Sequence, residues 1–252
     1  MIAKESSSEK PYWLELERMG MEVFPAFVEE RRKGCVFRAA GGLNFRNSSV
    51  TVHDPARFDL EWLVKETHSF SREHGIAPVI RVPQLWPEFE RELDEAGWHL
   101  FRSCAVLDRS LEDRTLESPD MLVKVDRDHW LDFQLGKRAL EPEKAKTLRK
   151  ILDMLPDDAE RLAWREDGKE LGGTLLWYDG SYCALMNMLV SPDARGTGVG
   201  KRFLSGLLDH AAASGSRTMW LQVLLENTPA VSLYERAGFK RVYDYAYYRQ
   251  EV

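Results

Sequence analysis

Cysteine is scarce in this chain of 252 residues, and what little there is lies scattered. The three thiols, Cys35, Cys104 and Cys183, form no CxxC pair and leave an odd one over. That excludes a disulfide framework and a thiolate zinc site, and it fits a reducing compartment. The six histidines lack ligand spacing as well, so no metal is expected. No run of ~18 apolar residues exists, which excludes a helical membrane span. The opening MIAKESSSEK has no apolar stretch and reads as a frayed terminus rather than a signal peptide. Basic excess is missing too. A formal net charge of -6 argues against a nucleic-acid binder, because nothing chain-wide neutralises phosphates. These absences describe a cytoplasmic protein without membrane or nucleic-acid partners.

What is present is enough apolar material for one large or two ordinary domains, with 44% hydrophobic and 30% charged residues. Helical spacing runs over 11–30, and strands are expected at 35–39 and 44–52 around the Gly41-Gly42 turn. A helix from Pro55 to Glu73, a strand over 77–82 with Pro78 at an edge or bulge, a helix over 86–96 and a strand over 98–107 follow. The polar stretch 108–120 is the expected linker.

The second half starts over: a strand at 121–125, helices over 129–140 and 142–155, and strands over 161–165, 171–178 and 182–190. The strand 182–190 is apolar at almost every position, as a central strand buried on both faces should be. A helix over 199–213, a strand over 219–224, a short helix capped by Asn227 and a tyrosine-rich strand from Phe239 complete it. Ala96-Gly97-Trp98 returns as Ala237-Gly238-Phe239, 141 positions later. This suggests two copies of one fold, although helix, glycine and aromatic strand also recur by chance. The first copy has Arg57-Phe58-Asp59-Leu60-Glu61 where the second has its glycine loop, so it lacks room for a phosphate and carries charge that repels one.

Chemistry concentrates in Arg195-Gly196-Thr197-Gly198-Val199-Gly200. Alternating glycines between a buried strand and an amphipathic helix let main-chain N–H groups face outward, at the positive end of the helix dipole. Lys201 and Arg202 add positive charge. A P-loop would need Ser or Thr after Gly200-Lys201, and the sequence has Arg202. The dinucleotide fingerprint would need a small residue at Lys201 and an earlier place in its domain.

Val190-Ser191-Pro192-Asp193-Ala194-Arg195 with its glycine loop resembles motif A of the GNAT superfamily of N-acetyltransferases. Leu221, Val223, Asn227, Ala230, Leu233, Tyr234, Gly238 and Phe239 resemble its motif B, at the usual separation. The first half is similar to the degenerate copy of tandem GNAT proteins, an arrangement also found in mycothiol synthases. The resemblance implies an α/β (α+β) fold of two tandem GNAT-like domains, 1–115 degenerate and 121–252 the acetyltransferase. Each is a mixed, mostly antiparallel sheet flanked by helices, the second splayed at its cofactor site.

The resemblance implies acetyl-CoA as co-substrate and no metal. Amides from Arg195 through Gly196, Thr197, Gly198, Val199 and Gly200 to Lys201 would hold the pyrophosphate. The edge Met188-Leu189-Val190 would pair with the pantetheine arm. Asn227 would hydrogen-bond the cofactor, and Tyr234 would protonate the departing thiolate. The acceptor is a small-molecule or peptide amine, attacking directly because neither motif holds a cysteine nucleophile. Monomer and homodimer both remain open.

No carboxylate lies in 182–190, so the base is a water on Asn187, Asp179 or Asp244. Tyr243, Tyr245, Tyr247 and Tyr248 edge an acceptor pocket or simply alternate in a strand, and Trp164 and Trp177 fit core or pocket wall. A non-catalytic acyl-CoA-binding regulator is the alternative function.

Overall fold

The structure, a computed structural model, describes residues 11–114, 117–138 and 140–250. The opening decapeptide and part of the expected linker therefore lie outside the described residues. Among the described residues seven α-helices flank one 11-stranded, mostly antiparallel sheet.

The first half contains α1 (Tyr12–Val23), β1 (Val28–Arg32), β2 (Cys35–Ala39), β3 (Ser49–Val52), α2 (Leu60–Glu73), β4 (Ile80–Pro83), α3 (Pro87–Glu95) and β5 (Trp98–Ser110). The second contains β6 (Leu122–Lys124), α4 (Arg127–Gly136), α5 (Pro142–Asp153), β7 (Glu160–Glu166), β8 (Lys169–Asp179), β9 (Tyr182–Val190), α6 (Val199–Ala213), β10 (Thr218–Leu224), α7 (Thr228–Arg236) and β11 (Lys240–Gln250). The spatial order is β1-β2-β3-β4-β11-β5-β10-β9-β8-β7-β6.

Local chemistry sets the boundaries. Asp59, Asp126 and Asn227 cap α2, α4 and α7 through side-chain oxygens. Proline opens α3 and α5, where its missing N–H costs nothing. Strand alternation sends Leu162, Leu176, Leu185 and Leu221 into one core with Phe203 and Leu207 of α6. Their neighbours Leu175, Ala184, Met186 and Trp220 enter a second core with Trp130 of α4 and Leu16 of α1. The second half of the sheet is thus covered on both faces.

Three expectations need correction. The helical spacing over 11–30 ends at Val23, and Val28–Arg32 is an edge strand. Its Glu and Arg residues alternate with exposure, as an edge in solvent permits. The strand expected from Asn44 begins only at Ser49. Residues 40–48 form a loop instead, in which Ser48 Oγ accepts from Ala40 and Gly42 N–H and Asn44 Oδ1 accepts from Arg46 N–H. Pro78 lies before β4, which is an interior strand between β3 and β11 rather than an edge.

The last strand of each half of the chain pairs with a strand of the other half. β11 lies between β4 and β5, and β5 lies between β11 and β10. β5 therefore runs to Ser110, three residues into the expected linker. At the middle, Cys104 pairs with Tyr245, its counterpart 141 positions on. Tyr245 pairs with Pro83 just as Cys104 pairs with Leu224. The same displacement carries α3 onto α7 and β4 onto the end of β10, whereas β3 (49–52) meets the end of β9 (187–190) at a displacement of 138; β3–β4 and β9–β10 are both parallel pairs.

Candidate active site

β9 and β10 run parallel and stay in register only from Tyr182 to Ala184 opposite Thr218 to Trp220. Beyond that the two strands part. The far half of β9, Asn187 to Val190, is only half-buried, unlike the fully covered strand the sequence led us to expect. The opening is sharpened by a β-bulge. The β8–β9 register jumps from Gly173–Leu189 to Leu175–Met186, so Asn187 and Met188 together face Thr174. Asn187 takes φ +51°, a left-handed conformation that asparagine tolerates better than most residues. Gln134 Nε2 donates to the Asn187 carbonyl at 3.0 Å and Thr174 Oγ1 to that of Met186 at 2.9 Å, which holds the bulge.

On one side of the opening lies a groove of about 1220 Å³, lined by Met188, Leu189, Val190, Arg195, Gly196, Gly198, Gly200 and Lys201. Gly196 and Gly198 sit at φ +78° and +81°, values that L side chains rarely adopt. Gly200 differs. It lies inside α6 without positive φ, and a Cβ there would make ordinary contacts with Leu233 and Val190. Thr197 Oγ1 donates to the Ala194 carbonyl and closes the turn. No acceptor among the described residues takes the N–H groups of Gly196 to Gly200, the first amides before and within α6. They form a nest for an anion.

The positive charge around this nest differs from expectation. Arg202 holds Glu166 in a two-pronged pair at 2.7 Å and donates to the Thr197 carbonyl, so it braces the loop and its charge is neutralised. Lys201 has no carboxylate partner among the described residues and stays exposed. Arg195 Nε donates to the Val190 carbonyl. Arg109 and Arg114, which sequence reasoning missed, also line the groove. Arg109 reaches the Ala237 carbonyl and Asp113, while Arg114 reaches Asp209 and Ser205.

On the other side lies a cavity of about 600 Å³. Met188, Asn227, Ala230 and Tyr234 line both spaces, so the two meet at the bulge and at α7. Asn227 spends its Oδ1 on the Ala230 N–H as the cap of α7 and is exposed at the junction. Tyr234 is buried, at 9% exposure, and its hydroxyl contacts only the Met188 sulfur, at 4.0 Å. Burial pushes this phenol up to about 12, against the opposing pull of the Arg46 guanidinium. It therefore keeps its proton through the neutral range. Leu43, Asn44, Phe45 and Arg46 of the 40–48 loop and Arg102 of β5 line the second cavity, so the first half of the chain builds part of its wall.

Several other candidates lie elsewhere. Asp179 pairs with Arg18 and Asp244 with Arg241, and neither lines either space. Tyr243 donates to Glu17, Tyr245 to Gln222 and Tyr248 to Glu90, leaving Tyr247 as the one of the four on the cavity wall. Trp164 and Trp177 are core. Asn187 is on the wall, and its buried Nδ2 has no hydrogen-bond partner. No group of three or more His, Cys, Asp or Glu among the described residues could hold a metal. No described helix is long and apolar enough to cross a membrane.

The parted parallel pair, the amide nest at one end and the protonated phenol at the other all lie in the second half of the chain, and it is this half that is similar to the GNAT family of acyltransferases. Residues 122–239 match the model of the Acetyltransferase (GNAT) family. Among individual proteins the chain is similar to the uncharacterized N-acetyltransferase YobR of Bacillus subtilis, 26% identical over 92% of this chain and 96% of that protein. It is 31% identical to mycothiol acetyltransferase of Clavibacter sepedonicus over 46% of this chain and 40% of that enzyme. Of solved structures, an N-acetyltransferase from Kribbella flavida superposes with TM-score 0.64, covering 94% of this chain and 95% of that one at 14% identity. A tandem GNAT protein from the clavulanic acid biosynthesis pathway gives 0.55 at 14% identity, over 92% of this chain and 86% of that one. At such identities these two superpositions bear on the fold alone.

Proposed function

We propose that the chain transfers an acetyl group from acetyl-CoA to a primary amine by direct attack. The observation that carries this reading is the junction at Met188 and Tyr234, where a groove fit for an acyl thioester meets a separate cavity. The free amides of 196–200 receive the pyrophosphate, with Lys201 beside them. The β9 edge beyond Ala184 has lost its β10 partner, so Met188, Leu189 and Val190 offer backbone groups to the amide-bearing pantetheine arm. Asn227 reaches the same arm from the start of α7.

The amine enters from the 600 Å³ cavity. Its nitrogen bonds to the acetyl carbon, the carbon–sulfur bond breaks, and the thiolate takes the Tyr234 proton. The phenolate is then reprotonated from water. The amine's own proton leaves through water at Asn187, because no carboxylate lines either space among the described residues. Cys104 lines the cavity, but burial pushes its thiol up and leaves it a poor nucleophile.

We read the two halves as tandem copies, 1–115 and 121–252, that have exchanged final strands. The exchanged registers and the named tandem protein among the structural neighbours support this. The first copy, without a glycine loop, supplies acceptor-site wall.

The missing base favours a second reading, a regulator that binds acyl-CoA without turning it over. Calorimetry with acetyl-CoA followed by transfer assays on an amine panel separates the two. Binding with transfer to at least one amine is expected. Tight binding with no transfer to any amine leaves the regulator, and no heat at all ends both.

A further inference from the structure

The acceptor cavity carries charge of one sign. Arg46, Arg102 and Arg138 line it, and no Asp or Glu does. They arrive from three separate elements: the 40–48 loop, β5 and the turn after α4. In a chain whose net charge is -6, three arginines on one wall without an acid among them is a local inversion.

These cations are only partly satisfied elsewhere. Arg138 donates from Nη2 to Gln134 Oε1 at 2.9 Å, while its Nε is buried without a partner and, among the described residues, it has no carboxylate within ion-pair distance. Burial alone pulls this guanidinium down, with no counter-charge opposing it. Arg46 donates to the Gln222 carbonyl at 3.0 Å and lies over the Phe24 ring, again without a carboxylate. Arg102 lies over Phe45, and its buried Nε makes only a long ion pair, 3.9 Å, with the exposed Glu226 and no hydrogen bond.

The loop carrying Arg46 is built rather than loose. Buried Arg38 donates to the carbonyls of Arg46, Met21 and Phe24, Asn47 Nδ2 donates to that of Pro25, and Ser49 Oγ donates to that of Phe45. A cation desolvated on a pre-formed wall is costly unless an anion completes it.

Resting on the acetyltransferase reading, we infer that the acceptor is an amine that also bears an anionic group, a carboxylate or a phosphate, which Arg46, Arg102 and Arg138 receive while the amine faces Tyr234. Planar guanidinium forks suit both anions, and a polyamine or a lysine-rich peptide would be repelled. The neutral walls, Leu43, Leu140, Leu148 and Leu185, suit a partly apolar skeleton between the two groups.

The test uses amine pairs that differ only in the anion: β-alanine with its amide, 2-aminoethyl phosphate with ethanolamine, and glutamate with glutamine, set against spermidine. The expected result is an anionic member exceeding its neutral partner in kcat/KM by about 10-fold or more. Arg138→Gln and Arg102→Gln should each cut that ratio by about 10- to 100-fold, the range of one charge-assisted hydrogen bond, with acetyl-CoA affinity kept. The carboxylate and phosphate arms report which anion is used.

Spermidine or neutral amines as the best acceptors would overturn the inference and leave acetyl transfer standing. Loss of acetyl-CoA affinity in the arginine variants would assign those residues to the cofactor and overturn it too. Should no amine be acetylated, calorimetry of the CoA-saturated wild-type protein with N-acetyl-β-alanine and its amide still decides. Preference for the acid supports the anion site, and equal or absent binding of both rejects it.

Discussion

Replacing Tyr234 by Phe removes one oxygen and leaves the ring. The hydroxyl has a single weak contact, the Met188 sulfur at 4.0 Å, so the fold should lose less than ~1 kcal/mol. The ring keeps its edge-on packing against Phe239, 5.7 Å between centroids, and α7 keeps its Asn227 cap. The chemical loss is much larger. A phenol raised to about 12 is fully protonated at neutral pH and is placed where both spaces meet. Removing such an acid should lower kcat by ~10²- to 10⁴-fold, which is ~2.7 to 5.4 kcal/mol at 1.36 kcal/mol per decade. Steady-state transfer to a competent amine measures kcat, and calorimetry measures acetyl-CoA affinity, which should change by less than ~threefold because no charge or main-chain donor is lost. The wild-type profile should rise with pH as the amine loses its proton, and show no falling limb below ~10. A Phe variant with kcat within threefold of wild type, or a wild-type rate that falls between pH 8 and 9, would refute the assignment of Tyr234 as the acid.

Three further outcomes follow from the same geometry. Gly198→Val places a branched side chain at φ +81° with a Cβ 3.2 Å from Arg202 Nη1; it should strain the nest by ~1–2 kcal/mol and weaken acetyl-CoA about tenfold or more by calorimetry. Asn187→Val should flatten the β9 bulge and weaken both cofactor and acceptor, whereas Asn187→Gly, free to keep φ +51°, should preserve cofactor affinity and lose only what the amide contributes to turnover. Glu17→Gln should cost ~3–5 kcal/mol in urea unfolding, since Glu17 is 2% exposed and accepts from Arg81, itself buried, at 2.7 Å. Burial by itself would raise the Glu17 carboxyl, but Arg81 and His53 outweigh it and hold it well below the usual range. Its stabilisation is therefore full above the ordinary glutamate value of ~4.3 and is lost as pH falls from there toward the depressed folded value. A flat urea midpoint between pH 6 and 3 in the wild type, or an acid-side slope unchanged by the substitution, would contradict this.

What the sequence disclosed depended on how local the cause was. The helix over 199–213 was readable to the residue because its start is a left-handed glycine and its apolar stripe repeats every turn. The strand 182–190 was readable as apolar, yet its bulge was not, because one positive φ at Asn187 leaves no periodic trace. β1 was missed because an edge strand tolerates the charges of Val28–Arg32, which look like a polar helix end. The crossed strand pairing was invisible for a different reason. β5 and β11 have similar patterns and lie side by side, so composition cannot say whether each pairs with its own half or with the other.

The same distinction divides the site. An anion nest is made of main chain and glycines, contiguous in sequence, and its motif can be read directly. The cavity beyond Tyr234 is made of side chains from residues 24 to 247, brought together only because β11 crosses into the first half and β5 into the second. The β5–β10 pairing brings Arg102 of β5 and the 40–48 loop toward β10, so residues of the first half of the chain form a wall of this cavity. Arg46 shows the consequence. In the sequence it is one basic residue in a polar stretch, 188 positions from Tyr234. In the fold its guanidinium donates to the Gln222 carbonyl and acts on the Tyr234 phenol. Under the proposed function, a half with no glycine loop of its own would still govern which amine reacts, through charge set at the Tyr234 phenol.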